Sequence, residues 1–396
     1  MQSCIKSLIQ KINASLSQIP SKSEKIKFSK SGLPLINIYK LVQSCALDII
    51  GETSFGSSFN IVENDDHPLP RKAYEDLRRR VLRLCFPYFK FLFKKDPYAY
   101  EFIKEIIRQR ISLNAKGERR SDILQIVIDH YSDSSTKDTQ SMTEPEMIEQ
   151  LLEFIFAGSD TSTFTISMVL ITLLQHPEKL ECLRAELDSA FKVSRNNAPR
   201  VNTDKTSDDT PDPLFPDHDT LKSLKYLNAV IDETLRLFPP ATSGLFRQTV
   251  DKETLISGYV IPEKTIVCAS LYYFQRSKEI WGADADEFVP ERWLNSEKPL
   301  SPQSDASSTT DKTKSWNIES ARTNAYYPFG GGSRICIGYN FALMEIRLML
   351  SALIMNFEFE VVEGQDLQMV QLVVPSLRSK KYDVGVQRRI LKEELR

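Results

Sequence analysis

Residues 143–175, TEPEMIEQLLEFIFAGSDTSTFTISMVLITLLQ, run past their first turn without a helix breaker until His176-Pro177. Thr143 and Glu146 have the spacing of a capping box, in which the threonine hydroxyl accepts a first-turn amide and the glutamate reaches back to the cap. At 1.5 Å per residue the expected helix is about 48 Å long, enough to cross a whole domain. Its middle, FIFAGSDTSTFTISMVLITLL, is apolar nearly all round, so other elements must bury it on most sides. The chain has the material to do so: 396 residues, 41% hydrophobic and 26% charged, is an ordinary globular composition.

One part of this helix is polar: Gly158, Ser159, Asp160, Thr161, Ser162 and Thr163. A carboxylate and several hydroxyls inside a buried helix need partners. Two readings are open. In one, the hydroxyls bond back to carbonyls one turn earlier and Asp160 pairs with a base elsewhere. In the other, a kink at Gly158 opens a polar groove for a small ligand and its protons.

The rest of the chain is expected to be helix-rich up to about residue 240 and mixed thereafter. INIYKLVQSCALDII (36–50) has helical spacing and is expected to stop at Gly51; KAYEDLRRRVLRLCF, YAYEFIKEIIRQRI and SDILQIVIDH follow as further helices. LKSLKYLNAVIDETLRLF (221–238) reads as one helix ended by Pro239-Pro240. ETLISGYVIPEKTIVCASLYYF reads as strand, glycine turn and strand, and FEFEVV and YDVGVQR as C-terminal strands. Stretches near 193–219 and 295–324 are so poor in apolar residues that they read as exposed insertions within one domain spanning 1–396. A net charge of −2 argues against nucleic-acid partners. The six cysteines form no CxxC pair, which argues against a zinc site or disulfide scaffold. No apolar run in residues 1–30 reaches signal-peptide or membrane-span length.

Two further patterns carry chemistry. Glu233 and Arg236 share one helix face, a spacing common on protein surfaces, but Arg292 in the aromatic segment PERW (290–293) is positioned to turn the pair into a buried network. PFGGGSRICIG (328–338) surrounds Cys336 with glycines just before the helical run IGYNFALMEIRLMLSALI. Glycine lets the backbone approach a sulfur closely. A helix N-terminus and the Arg334 cation favour negative charge there, as a thiolate metal ligand requires.

PFGGGSRICIG resembles the cysteine-ligand loop of the cytochrome P-450 haem-thiolate monooxygenases, matching Phe, Gly, Gly, Arg, Cys and Gly in order. AGSDTS (157–162) resembles the family's oxygen-binding groove, ETLR and PERW its structural triad, and DIIGETSFG (48–56) the helix before its substrate-roof helices. The resemblance implies a mainly α fold with small antiparallel β-sheets. It implies haem b with Cys336 as axial thiolate, which favours O–O cleavage. Phe329 would shield the thiolate, Gly338 would permit the tight entry into the helix, and Arg334 and Arg247 would hold the propionates. Ala157 and Gly158 would lie against the haem. Thr161 would hydrogen-bond bound oxygen while Asp160 relays protons inward from solvent. Glu233, Arg236 and Arg292 would form the triad. The implied reaction inserts one oxygen atom of O2 into an apolar small molecule, with electrons from NADPH-cytochrome P-450 reductase or a similar donor.

Departures are also visible. The family's N-terminal anchor, proline-rich hinge, β-rich region and Trp-x-x-x-Arg helix are not found; the tryptophans are Trp281, Trp293 and Trp316. The chain is therefore expected to begin partway through the fold. Two functions stand: a monooxygenase whose full-length parent works on the cytoplasmic face of the endoplasmic reticulum membrane, or a truncated, non-catalytic fragment with weak or no haem binding. CFPYFKFLFKKD (85–96), opening on Cys85 and closing on Asp96, is either a half-buried loop or a candidate membrane contact. Gln275 stands where many relatives carry histidine, a change expected to matter little. The polar insertions resemble those of fungal members.

Overall fold

A computed structural model of the chain describes residues 1–17, 27–85, 88, 97–132, 143–197, 217–242, 244–294, 325–371 and 373–390. Its helices are α1 (Gln2–Ser17), α2 (Ile38–Phe55), α3 (Leu69–Cys85), α4 (Pro97–Ala115), α5 (Ile123–Ser132), α6 (Glu144–Gln175), α7 (Pro177–Asn197), α8 (His218–Ser223), α9 (Lys225–Leu237), α10 (Leu271–Phe274), α11 (Lys278–Trp281) and α12 (Tyr339–Asn356). Strands β1 (Leu35–Asn37), β9 (Asp383–Arg388) and β6 (Phe357–Val361) form one antiparallel sheet in that order. β2 (Leu245–Gln248) pairs with β5 (Ile266–Ala269), β3 (Glu253–Ile256) with β4 (Tyr259–Pro262), and β7 (Met369–Gln371) with β8 (Pro375–Leu377), all antiparallel. The fold is mainly α with small antiparallel sheets.

α6 is the axis of the molecule. Its capping box is complete: Thr143 Oγ1 accepts from the Glu146 amide, and Glu146 Oε2 accepts from the Thr143 amide at 2.7 Å. It is long and apolar enough to cross a membrane, yet most of that apolar stretch is packed inside the protein. Its two halves lie in different cores. Met147, Ile148, Leu151, Leu152 and Ile155 join a cluster with α2, α4 and α5. Phe164, Ile166 and 168–171 join the larger one built with α1, α2, α7, α9 and α12. The polar stretch 157–163 falls at the junction, and the helix runs through Gly158 without a break.

Several boundaries differ from those expected. α2 passes through Gly51 and ends at Gly56, whose φ of +72° supplies the left-handed C-cap. Gly51 is instead a point of close approach, since a Cβ there would lie 2.9 Å from the Ser57 carbonyl oxygen. The helix expected over 221–238 is split at Leu224, where the backbone is extended (φ −71°, ψ 116°). The split is held from outside: Glu186 of α7 accepts from the Tyr226 and Leu227 amides, both at 2.8 Å, and so caps α9 in place of a local residue. α1 was not anticipated, although Ile5, Leu8, Ile9 and Ile12 have helical spacing and are fully buried. LYYF, read with the strands, is the short α10. The insertion near 193–219 is helical at both edges, within α7 and α8; its interior, the stretch 295–324, and all of 86–96 except Tyr88 lie outside the described residues.

Candidate functional site

The Cys336 loop is built by its glycines and by two backbone bonds. Gly330 (φ +73°) and Gly332 (φ +63°) adopt left-handed conformations that let the chain reverse before a 3-10 turn at Gly332–Arg334. The Cys336 amide then donates to the Phe329 carbonyl at 2.9 Å, closing the loop, and the Tyr339 amide donates to the Cys336 carbonyl at 3.3 Å, leading into α12. Gly338 is the N-cap, and a Cβ on it would lie 3.8 Å from the Cys336 sulfur. Phe329 meets Tyr339 edge-on, ring centroids 4.8 Å apart. The free Cys336 thiol is exposed.

Around it lie exposed apolar side chains and cations. Ile335, Ile337 and Phe246 are exposed. Leu245 on β2 reaches within 3.9 Å of a Cβ position at Gly330, which places β2 beside the loop. Arg247 lies two residues along and so on the same strand face. It is exposed, with Nη1 donating to the Phe246 carbonyl at 2.8 Å. Arg334 is exposed too, and among the described residues neither guanidinium has a carboxylate partner. A soft sulfur donor, an apolar wall and two guanidinia with no carboxylate partner among the described residues fit a flat apolar group bearing two acids, as haem does.

In this stretch of α6, two hydroxyls fold back, Ser159 Oγ donating to the Ile155 carbonyl at 2.6 Å and Thr161 Oγ1 to the Ala157 carbonyl at 2.7 Å. The buried Ser162 and Thr163 hydroxyls have no well-aligned hydrogen-bond partner among the described residues. Gly158 admits Ile50 of α2, whose Cδ1 would lie 2.4 Å from any Cβ placed there. Ala157 is exposed. Asp160 faces α2 and the C-terminal hairpin, lining a small cavity with Tyr39, Tyr74 and Lys380; Gln43 Nε2 lies 3.5 Å from its Oδ1. Burial pushes its carboxyl above the ordinary carboxylate value, while the Lys380 ammonium and the Gln43 amide pull it down.

Glu233 and Arg236 are fully buried on α9 and Arg292 is nearly so. Glu233 accepts two bonds from Arg236, both 2.8 Å, one from Arg292 Nε at 2.9 Å, and others from the Val289 amide and Trp293 Nε1. Arg236 also donates to the Gln275, Ala285 and Glu287 carbonyls. The pattern of residues 233, 236 and 292 pointed to three members of this hub. It missed Trp293 and Gln275, whose bonds span 60 and 39 residues of sequence.

The sequence profile of the cytochrome P450 family matches residues 5–385. Cytochrome P450 monooxygenase acrD of Aspergillus aculeatus is 32% identical over 91% of this chain and 65% of its own length. Cytochrome P450 monooxygenase FUS8 of Gibberella moniliformis is 32% identical over 98% of this chain and 66% of its own length. The chain thus spans just under two thirds of the length of these relatives. Among solved structures, the haem domain of cytochrome P450DA superposes with a TM-score of 0.69 at 20% identity, over 98% of this chain and 72% of that one.

Proposed function

The chain belongs to the cytochrome P450 family, and we propose that it is a haem-thiolate monooxygenase acting on an apolar organic substrate with electrons from a partner reductase of the NADPH-cytochrome P-450 reductase kind. The observation that carries this reading is the exposed Cys336 thiol, held at the entrance to α12 by the hydrogen bond from the Cys336 amide to the Phe329 carbonyl, with two guanidinia nearby that have no carboxylate partner among the described residues.

Cys336 would hold the iron of haem b through its thiolate, with Phe329 beside it, and Arg247 and Arg334 would take the propionates. Bound there, haem supplies the activation of O2 and the transfer of one oxygen atom to substrate. The protein's part is to place and move protons. Thr161 Oγ1 spends its hydrogen on the Ala157 carbonyl, which leaves its lone pairs free to accept. Asp160, with its raised carboxyl, is suited to hold and release a proton closer to neutral pH than an ordinary aspartate. Glu233, Arg236 and Arg292 touch no substrate in this reading; they hold the α9 side of the site. Membrane association is proposed with the same reading.

The test is the reduced, carbon-monoxide difference spectrum of the chain expressed with haem supplied, beside Cys336→Ser. A strongly red-shifted Soret band that Cys336→Ser abolishes is expected. Absence of that band from the unaltered chain would sink the reading in favour of a non-catalytic fragment.

A further inference from the structure

Gln275 follows α10 and is completely buried. A buried side-chain amide is costly unless its hydrogens and oxygen are all engaged. Here both Nε2 hydrogens go to carbonyls of the last turn of α9, Leu235 and Arg236, each at 3.0 Å. These carbonyls have no partner within the helix, so Gln275 acts as a C-cap supplied from another element. Next to it Arg276 donates to the Leu237 carbonyl, which completes the cap with a cation where the helix dipole favours one. The remaining atom, Gln275 Oε1, accepts from the Tyr327 amide at 3.2 Å. Tyr327 stands two residues before Phe329, at the start of the Cys336 loop.

A second tie runs parallel to the first. Tyr326 Oη donates to Asp232 of α9 at 2.9 Å, and its ring packs on Trp293 with centroids 4.6 Å apart. Beyond the loop, Arg347 of α12 donates to Asn228 of α9 at 2.8 Å. Both ends of the loop are therefore referenced to α9, the helix that carries Glu233 and Arg236. Gln275 joins that buried hub to the loop through hydrogen bonds, since its main-chain carbonyl receives Arg236 and its side chain receives Tyr327.

We propose that Gln275 is a positioning residue for Cys336, holding the entrance of the loop against the C-terminus of α9 so that the sulfur is presented in one place. The inference rests on the haem-thiolate reading for its consequence, but not for its geometry. Two donors and one acceptor on an uncharged side chain are what the site requires. Neutral histidine offers one of each, and leucine offers none.

The test compares Gln275→Leu and Gln275→His with Ile128→Ala, a buried α5 change in the other apolar core, chosen to lower Tm by a similar amount. Hydrogen exchange of the full chain is followed in peptides covering 325–338 and 147–173. Gln275→Leu is expected to speed exchange in 325–338 by about tenfold or more and to leave 147–173 unchanged. Gln275→His should give a smaller change in the same peptides and serves if Gln275→Leu does not fold. In the carbon-monoxide spectrum, both should shift intensity from the thiolate band to the unshifted band at temperatures where Ile128→Ala does not. Unchanged exchange in 325–338, or a band ratio that follows Tm alike in all three variants, would overturn the proposal. A missing thiolate band in the unaltered chain would instead overturn the haem-thiolate reading, and the exchange comparison would still decide whether Gln275 holds the loop.

Discussion

Glu345 lies midway along α12, fully buried, and neither carboxylate oxygen has a well-aligned hydrogen bond among the described residues; the nearby Ser162 hydroxyl of α6 is equally unsatisfied. Burial pushes its carboxyl up from 4.5 to about 8, with the Ser162 hydroxyl and the chain's N-terminal ammonium pulling the other way. The folded chain therefore keeps a proton that the unfolded chain releases. The contribution of Glu345 to stability should be greatest below the unfolded value of 4.5, fall as pH rises towards 8, and level off above it. At pH 7 the penalty is about 3 kcal/mol. Glu345→Gln should flatten this fall, as read from urea unfolding at several pH values; a slope unchanged by the substitution would show that Glu345 does not keep its proton. Its neighbours in sequence are apolar at helical spacing, and nothing among them marks a buried carboxyl. That its side chain points at Ser162 depends on how α12 lies against α6.

At the scale of elements, Gly158 shows how a residue in a functional-looking motif can serve packing. The crossing of α2 over α6 brings Ile50 onto its Cα, so the glycine sets the distance between the two helices. Gly158→Val should lower stability by about 1–3 kcal/mol, because the added volume has nowhere to go. In an Ile50→Ala background the same substitution should cost much less, which a double-mutant cycle by thermal unfolding would measure. Additive effects would mean that the contact does not limit the crossing. The capping box at Thr143 was legible because its partners are three residues apart. The split at Leu224 was not, because Glu186, which caps α9, lies 40 residues from Tyr226.

For the molecule as a whole, Glu233 is the point where α9 and the 290–293 turn are joined. Removing its charge leaves Arg236 and Arg292 buried against an incomplete set of acceptors. Glu233→Gln is expected to cost about 3–5 kcal/mol, since a buried ion then lacks its partner. Glu291→Gln, which removes the partly exposed ion pair to Lys179 two residues from Val289, should cost no more than about 1 kcal/mol. Thermal unfolding of the two variants side by side makes the comparison, and equal losses would count against a special role for the buried hub.

The sequence alone determined the features whose causes are local: the long central helix and its cap, the glycine-rich turn before Cys336, the helix stop near Pro239, and the C-terminal strands. Hydrogen bonds and conformational preferences within a few residues decide those. Only the tertiary structure decided that α9 begins at Lys225, that Asp160 faces Lys380, and that the buried Gln275 side chain joins the end of α9 to Tyr327. Each of those outcomes turns on a partner dozens to hundreds of residues away. Which partners meet is set by how the two apolar cores pack around α6, and no short stretch of sequence contains that information.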